Sequence, residues 1–275
     1  MFKRVMVAVV GVPFLLLVLG WAPAWATVLL VCAMCAIGAH ELMHAAAGAG
    51  AKRLLPLTVT VAALAPACVY LETLDPRPYG AALAFVFLFA LFALAITGYG
   101  GEKAVPFASL TAAVFAGLIF PEMLSCLVRL RLMPGPLGRA LVFLPLAISF
   151  GSDTFALFAG MLFGKHKLSP RVSPKKTVEG AIGGLVGGVV GMMVLNPIAS
   201  YWVIHDPLMT WGMAVGLGLA GSVVSQVGDL SFSVIKREFG VKDYGRLLPG
   251  HGGILDRFDS VSFVAPAVWL LLQLL

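Results

Sequence analysis

Charge is what this sequence has least of. Only 12% of its 275 residues are Asp, Glu, Lys or Arg, against about a quarter in an average soluble domain. With 60% apolar residues, the chain lacks the polar surface a soluble globule needs. Cysteine is scarce too: Cys32, Cys35, Cys68 and Cys126 all fall inside apolar runs. Cys32 and Cys35 form a CxxC, but neither a second pair nor a charged neighbour accompanies it. Redox and metal chemistry therefore give way to helix packing. The net charge is +6, yet no long basic stripe with interleaved aromatics exists, which argues against nucleic acid as a partner. No strand pattern accompanies the glycines between 180 and 191, so they do not read as a nucleotide-binding loop.

What the chain has in abundance is long apolar runs. They predict transmembrane helices at about 5–20, 27–47, 55–71, 80–98, 105–128, 140–163, 179–201, 209–235 and 260–275. The expected fold class is all-α, a polytopic membrane protein with about nine transmembrane helices. Residues 1–140 read as a structural helical region, and 141–275 as a catalytic region with two polar loops. The start of the chain has features of a secretory signal, with Lys3-Arg4, an apolar run and Ala24-Trp25-Ala26. A second apolar segment follows at once, which favours a retained helical hairpin. Gly180, Gly183, Gly184, Gly187, Gly188 and Gly191 occupy helix-packing spacing. With the N-terminus cytoplasmic, 15 of the 19 Lys and Arg residues face inward, as the positive-inside bias requires. The exceptions are Arg77, Arg129, Arg131 and Arg139.

This orientation puts two polar stretches on one face. The first runs from Gly164 to Gly180, with Ser173-Pro174 read as a helix start and Lys175 and Lys176 beside it. Cations at a helix N-terminus make an anion site. Asp153 lies about 18 Å along a helix from Lys165, and a carboxylate buried at that depth needs a cation, a metal or a proton. The second stretch spans 228–259 and is crowded with ionisable groups, which at bilayer depth mark function. If the preceding helix continues, Asp229, Ser233, Lys236 and Arg237 share a face. If the last helix begins early, Asp256 and Asp259 are i, i+3 neighbours, spaced to share metal ions. The 250–253 turn lets backbone approach a ligand closely.

Ser233-x-x-Lys236-Arg237-x4-Lys242-Asp243, followed by Pro249-x-His251-Gly252-Gly253-x-x-Asp256-Arg257-x-Asp259, resembles the signature of the phosphatidate cytidylyltransferase (CDP-diacylglycerol synthase) family. Ser173-Pro174-x-Lys176-Thr177-x-Glu179-Gly180 and the Asp153 region are similar to the same family. The likeness covers about residues 145–262; the N-terminal half shares only hydropathy.

The resemblance implies a reaction in phospholipid biosynthesis: CTP and phosphatidic acid give CDP-diacylglycerol and pyrophosphate with Mg²⁺. A second metal or a monovalent ion is a further option. It assigns catalysis to Asp229, Lys236, Arg237, Asp256 and Asp259, and metal binding to Asp153, Asp229, Asp256 and Asp259. Substrate contacts fall to Ser173, Lys175, Lys176, Thr177, Glu179, Ser233, Lys242, Asp243, His251, Gly252, Gly253 and Arg257. The expected setting is a bacterial cytoplasmic (inner) membrane with the site facing the cytoplasm; a homodimer is left open. The residue chemistry agrees, because phosphoryl chemistry of this kind needs positioning and charge neutralisation more than a strong base. A CTP-dependent lipid kinase is the nearest rival. A CDP-alcohol phosphotransferase lacks its DGxxAR pattern here. A transporter needs inverted repeats with paired broken helices, and none is evident.

Overall fold

The computed structural model describes residues 9, 11–46, 48–101, 103–245 and 252–274. Among these residues ten helices follow in chain order: α1 (Gly11–Trp21), α2 (Ala24–Ala45), α3 (Ala49–Leu74), α4 (Tyr79–Gly98), α5 (Phe107–Arg131), α6 (Pro136–Leu141), α7 (Leu144–Phe163), α8 (Val178–Ile204), α9 (Trp211–Glu238) and α10 (Leu255–Leu274). Between α7 and α8 lies a small antiparallel hairpin, β1 (Lys167–Ser169) and β2 (Ser173–Thr177), in which Lys167 pairs with Thr177 and Ser169 with Ser173. The protein is thus an all-α polytopic membrane protein. Among the described residues, 7 helical segments are long and apolar enough to cross a bilayer. The remaining two of the nine expected spans correspond to α1, an apolar helix of shorter described length, and to α10, whose first turns carry Asp256, Arg257 and Asp259.

Two structural units emerge. The first comprises Ala22–Arg129, Glu238–Arg257 and the described residues before Leu19; the second comprises Leu19–Trp21, Leu130–Arg237 and the described residues from Phe258 onward. In the first unit Phe87 of α4 is fully buried and lies against Gly117 of α5, which Thr58 of α3 also approaches. Gly38 of α2 leaves room for the Phe120 ring and for Leu255. Elsewhere α4 buries little: Phe85 and Phe89 are each 70% exposed and Ile96 is 75% exposed.

In the second unit a core of Leu130, Leu141, Leu144, Ile148, Met192, Ala214, Leu217, Val264 and Val268 joins helices α5–α10. Here the glycine spacing of α8 has its physical meaning. A β-carbon on Gly187 would run into the carbonyl oxygen of Gly151, and one on Gly191 into that of Ala147. On the other side Gly184 faces Ser152 and Gln226, and Gly188 faces Ser222 and Gly218. Helix α8 therefore touches α7 and α9 backbone to backbone, as small residues allow.

The four cysteines are free and sit in helices α2, α3 and α5. Two arginines that ran against the charge bias are held by the protein itself. Arg129 pairs with Glu122 at 2.6 Å, and Arg131, only 7% exposed, donates from Nε to the Leu19 carbonyl at 2.9 Å. Arginines held in this way, one buried and one half-buried, answer to local partners rather than to membrane sidedness.

Candidate active site

The second unit gathers most of the expected residues. The Ser173-Pro174 pair does not begin a helix, contrary to the sequence expectation; it starts strand β2. Helix α8 begins at Val178, and Thr177 caps it by accepting the Gly180 N–H on Oγ1 at 3.1 Å. Proline tolerates an edge strand because it has no N–H to lose there, and threonine supplies the capping oxygen that proline lacks. Glu179, in the first turn, accepts backbone N–H groups from Lys165 at 3.1 Å and His166 at 3.3 Å, and meets His166 Nδ1 at 2.7 Å. Its carboxylate binds the end of α7's connection to the start of α8.

Lys176 projects from β2 to the carboxylate of Asp229 on α9, with Nζ 2.5 Å from Oδ2. One turn on, Ser233 Oγ lies 3.5 Å from Asp229 Oδ1, so α9 does present both on one face. Arg237, in the last turn of α9, donates from Nε to the Val172 carbonyl at 3.2 Å and so anchors the hairpin. Lys175 is exposed beside Lys176, and Ser173 is half-buried. Asp259 is 7% exposed and accepts the Ser260 N–H at 2.8 Å. Its charge interacts with those of Asp229, Lys236 and Asp153. Three carboxylates and two lysines thus form one electrostatic neighbourhood. Asp153 lies on an exposed face of α7.

The first unit holds the other half of the motif. Helix α10 begins at Leu255, earlier than the apolar run alone indicates, so Asp256 is helical. Asp256 Oδ2 accepts two backbone N–H groups, from Tyr244 and Gly253, each at 2.9 Å. Arg257 is exposed, and its N–H closes a turn on the Ile254 carbonyl at 3.0 Å. Gly252 adopts φ +84, a left-handed backbone that glycine accepts without strain. Lys242 and Asp243 line a cavity of about 1230 Å³ together with His40 and His44, whose rings stack 6.1 Å apart. His251 lies outside the described residues.

One residue that sequence reasoning passed over belongs with these. Glu41 of α2 is 5% exposed. Its carboxylate accepts the Ile254 N–H at 3.1 Å and the Leu255 N–H at 2.9 Å, at the start of α10. The close approach that Gly253 allows is to this side chain: a β-carbon there, or on Gly245, would collide with it. A lone glutamate in an apolar run was the available signal.

For Mg²⁺ the donor chemistry fits. Asp229, Asp259 and Asp153 offer hard carboxylate oxygens, and Ser260 next to Asp259 buries a hydroxyl that has no partner among the described residues. Also among the described residues, no three His, Cys, Asp or Glu side chains form a ready cage. Mg²⁺ does not require one, since it is commonly held by one or two carboxylates plus substrate phosphates.

The sequence profile of the cytidylyltransferase family matches residues 2–275. Over 121 residues the chain is 48% identical to a phosphatidate cytidylyltransferase of Staphylococcus aureus (strain COL), a stretch covering 44% of each chain. The same length and coverage apply to the proteins of that name from Staphylococcus haemolyticus, at 48% identity, and Staphylococcus epidermidis, at 42%. The matched stretch spans less than half the length of these relatives. With the profile spanning almost all of its length, the chain belongs to the cytidylyltransferase family.

Proposed function

We propose that this protein transfers a cytidylyl group from CTP to phosphatidic acid, releasing pyrophosphate and forming CDP-diacylglycerol for phospholipid synthesis. The observation that carries the proposal is the polar cluster of the second unit. Asp153, Asp229 and Asp259, with Lys176 and Lys236, lie together in a bundle of otherwise apolar helices. Ionisable groups are kept in such surroundings for a ligand or an ion. The names of the relatives point to the same reaction.

In this reaction a phosphate oxygen of phosphatidic acid bonds to the α-phosphorus of CTP, and the bond from that phosphorus to the bridging oxygen of pyrophosphate breaks. The nucleophile is already anionic, so the protein's task is to bring two anions together. Lys236 supplies positive charge beside the Lys176–Asp229 pair, and Arg237 adds a further cation at the C-terminal end of α9. Lys175 faces solvent beside them and suits the triphosphate's outer charge. Asp229 and Asp259, with Asp153 near them, are the residues that would hold Mg²⁺, and Asp256 at the start of α10 is a further carboxylate proposed to take part in catalysis. Bound there, the ion would supply charge neutralisation at the phosphates. The site faces the cytoplasm of a bacterial inner membrane, where CTP is available.

The test uses purified protein, phosphatidic acid, and CTP labelled at either the α- or the γ-phosphate. Label from the α-position is expected in the lipid, with pyrophosphate in equal amount. Label entering lipid from the γ-position would refute the proposal and establish a lipid kinase instead.

A further inference from the structure

Glu41 has no role in the chemistry just proposed, yet it is a carboxylate buried in an apolar helix. Burying an anion is costly unless hydrogen bonds and positive potential compensate it. Both come from one place. The first N–H groups of α10 have no partner within their own helix, and the helix dipole makes that end positive. Glu41 accepts two of the N–H groups there, from Ile254 and Leu255. One residue further on, Asp256 binds Gly253 and Tyr244. Neither of the two glycines flanking this arrangement, Gly245 and Gly253, has a positive φ. What forbids a side chain at either is the Glu41 carboxylate itself.

We infer that Glu41 is a positioning residue. It fixes where α10 starts, and through that start the direction in which Asp256 presents its carboxylate. The glycine at 253 is there to admit Glu41, in addition to any service it gives a ligand. This inference rests on the proposed reaction for its effect on turnover, but not for its structural content.

The test is a double-mutant cycle on Glu41→Ala and Gly253→Ala, with Glu41→Gln as a gentler variant, all in the full-length protein in detergent. Two readouts are taken. Amide hydrogen exchange of the 252–258 backbone reports the start of α10 without reference to activity. Turnover per folded molecule reports its consequence. Glu41→Gln removes the charge and one of two acceptor oxygens, so exchange at 254 and 255 should quicken about ten- to a hundredfold, as expected for lost hydrogen bonds to a charged group. Glu72→Gln serves as the control. Glu72 also accepts a backbone N–H in the first unit, from Gly80, and its loss should leave 252–258 unchanged.

Gly253→Ala should damage turnover strongly in the parent protein and much less when Glu41 is already alanine, because the collision is then gone. In Glu41→Gln the kcat should fall at least tenfold while the melting temperature stays within about 3 °C of the parent. An additive cycle in the exchange readout, or unchanged exchange at 254 and 255, would overturn the assignment. So would full kcat in the folded fraction of Glu41→Gln, which would leave Glu41 a purely structural residue. Should the parent protein fail to transfer cytidylyl groups at all, the proposed reaction falls. The exchange cycle would still decide whether Glu41 sets the start of α10.

Discussion

Exchanging a single glycine for alanine should move stability in opposite directions at two positions of the second unit. Gly187 on α8 faces the Gly151 carbonyl and the Phe155 side chain, and an added β-carbon collides with both. Gly216 on α9 has nothing within 4 Å of where its β-carbon would lie. Both substitutions gain the same intrinsic helix preference, about 1 kcal/mol. Only Gly187→Ala also overpacks, at a cost of about 1–3 kcal/mol. The upper end applies, because the obstacle is main chain and cannot rotate away; the two helices must move apart. The net expectation is a loss of about 2 kcal/mol at 187 and a gain of about 1 kcal/mol at 216. For a unit of this size that corresponds to melting about 4–8 °C lower and about 2–4 °C higher, respectively. Thermal unfolding in one detergent, followed by tryptophan fluorescence and by activity, reads both. Shifts of the same sign, or Gly187→Ala melting with the parent, would refute the backbone-contact account of α7 and α8.

Further expectations follow from the polar cluster. Lys176→Met leaves Asp229 without its cation and should cut turnover about tenfold or more, whereas Lys175→Met, at an exposed position, should cost less; steady-state kinetics compare them. Asp259→Asn should raise the Mg²⁺ concentration needed for half-maximal activity by about tenfold. An unchanged requirement would remove Asp259 from the ligand set. Asp256→Asn keeps an oxygen for Tyr244 and Gly253, so its melting temperature should stay near the parent's, while Asp256→Ala should melt clearly lower. Cysteines placed at Lys167 and at Arg246 should resist an impermeant thiol reagent in intact cells and react once the membrane is opened; labelling in intact cells would contradict the cytoplasmic orientation.

The helical architecture was legible because apolar runs of bilayer length announce themselves, and the glycine stripe of α8 because its spacing matched backbone contact. The face shared by Asp229 and Ser233 was legible for the same reason: helical periodicity is a local property. Three things were not. Ser173-Pro174 has the composition of a helix start, but pairing with Lys167–Ser169 drew it into a strand, and pairing depends on the partner segment. Asp153 was placed by depth along the helix axis, which says nothing about which side of α7 it occupies. Glu41 lies more than 200 residues from the backbone it binds, and no local pattern encodes such a contact.

Helix α4 shows what the membrane contributes to this protein. Within its own unit it buries only Phe87, Leu91 and Gly98, so most of its apolar surface finds no complement among the protein's own side chains. In the bilayer that complement is the acyl chains, which become structural partners of the fold. Their length and order should then tune how firmly α4 is seated. An amphiphile too short to match the 20-residue helix, which spans about 30 Å, would loosen it first, well before the glycine-packed helices respond. Solubilisation conditions are therefore a variable of the structure, and extraction with native lipid retained should preserve α4 where harsh detergent does not.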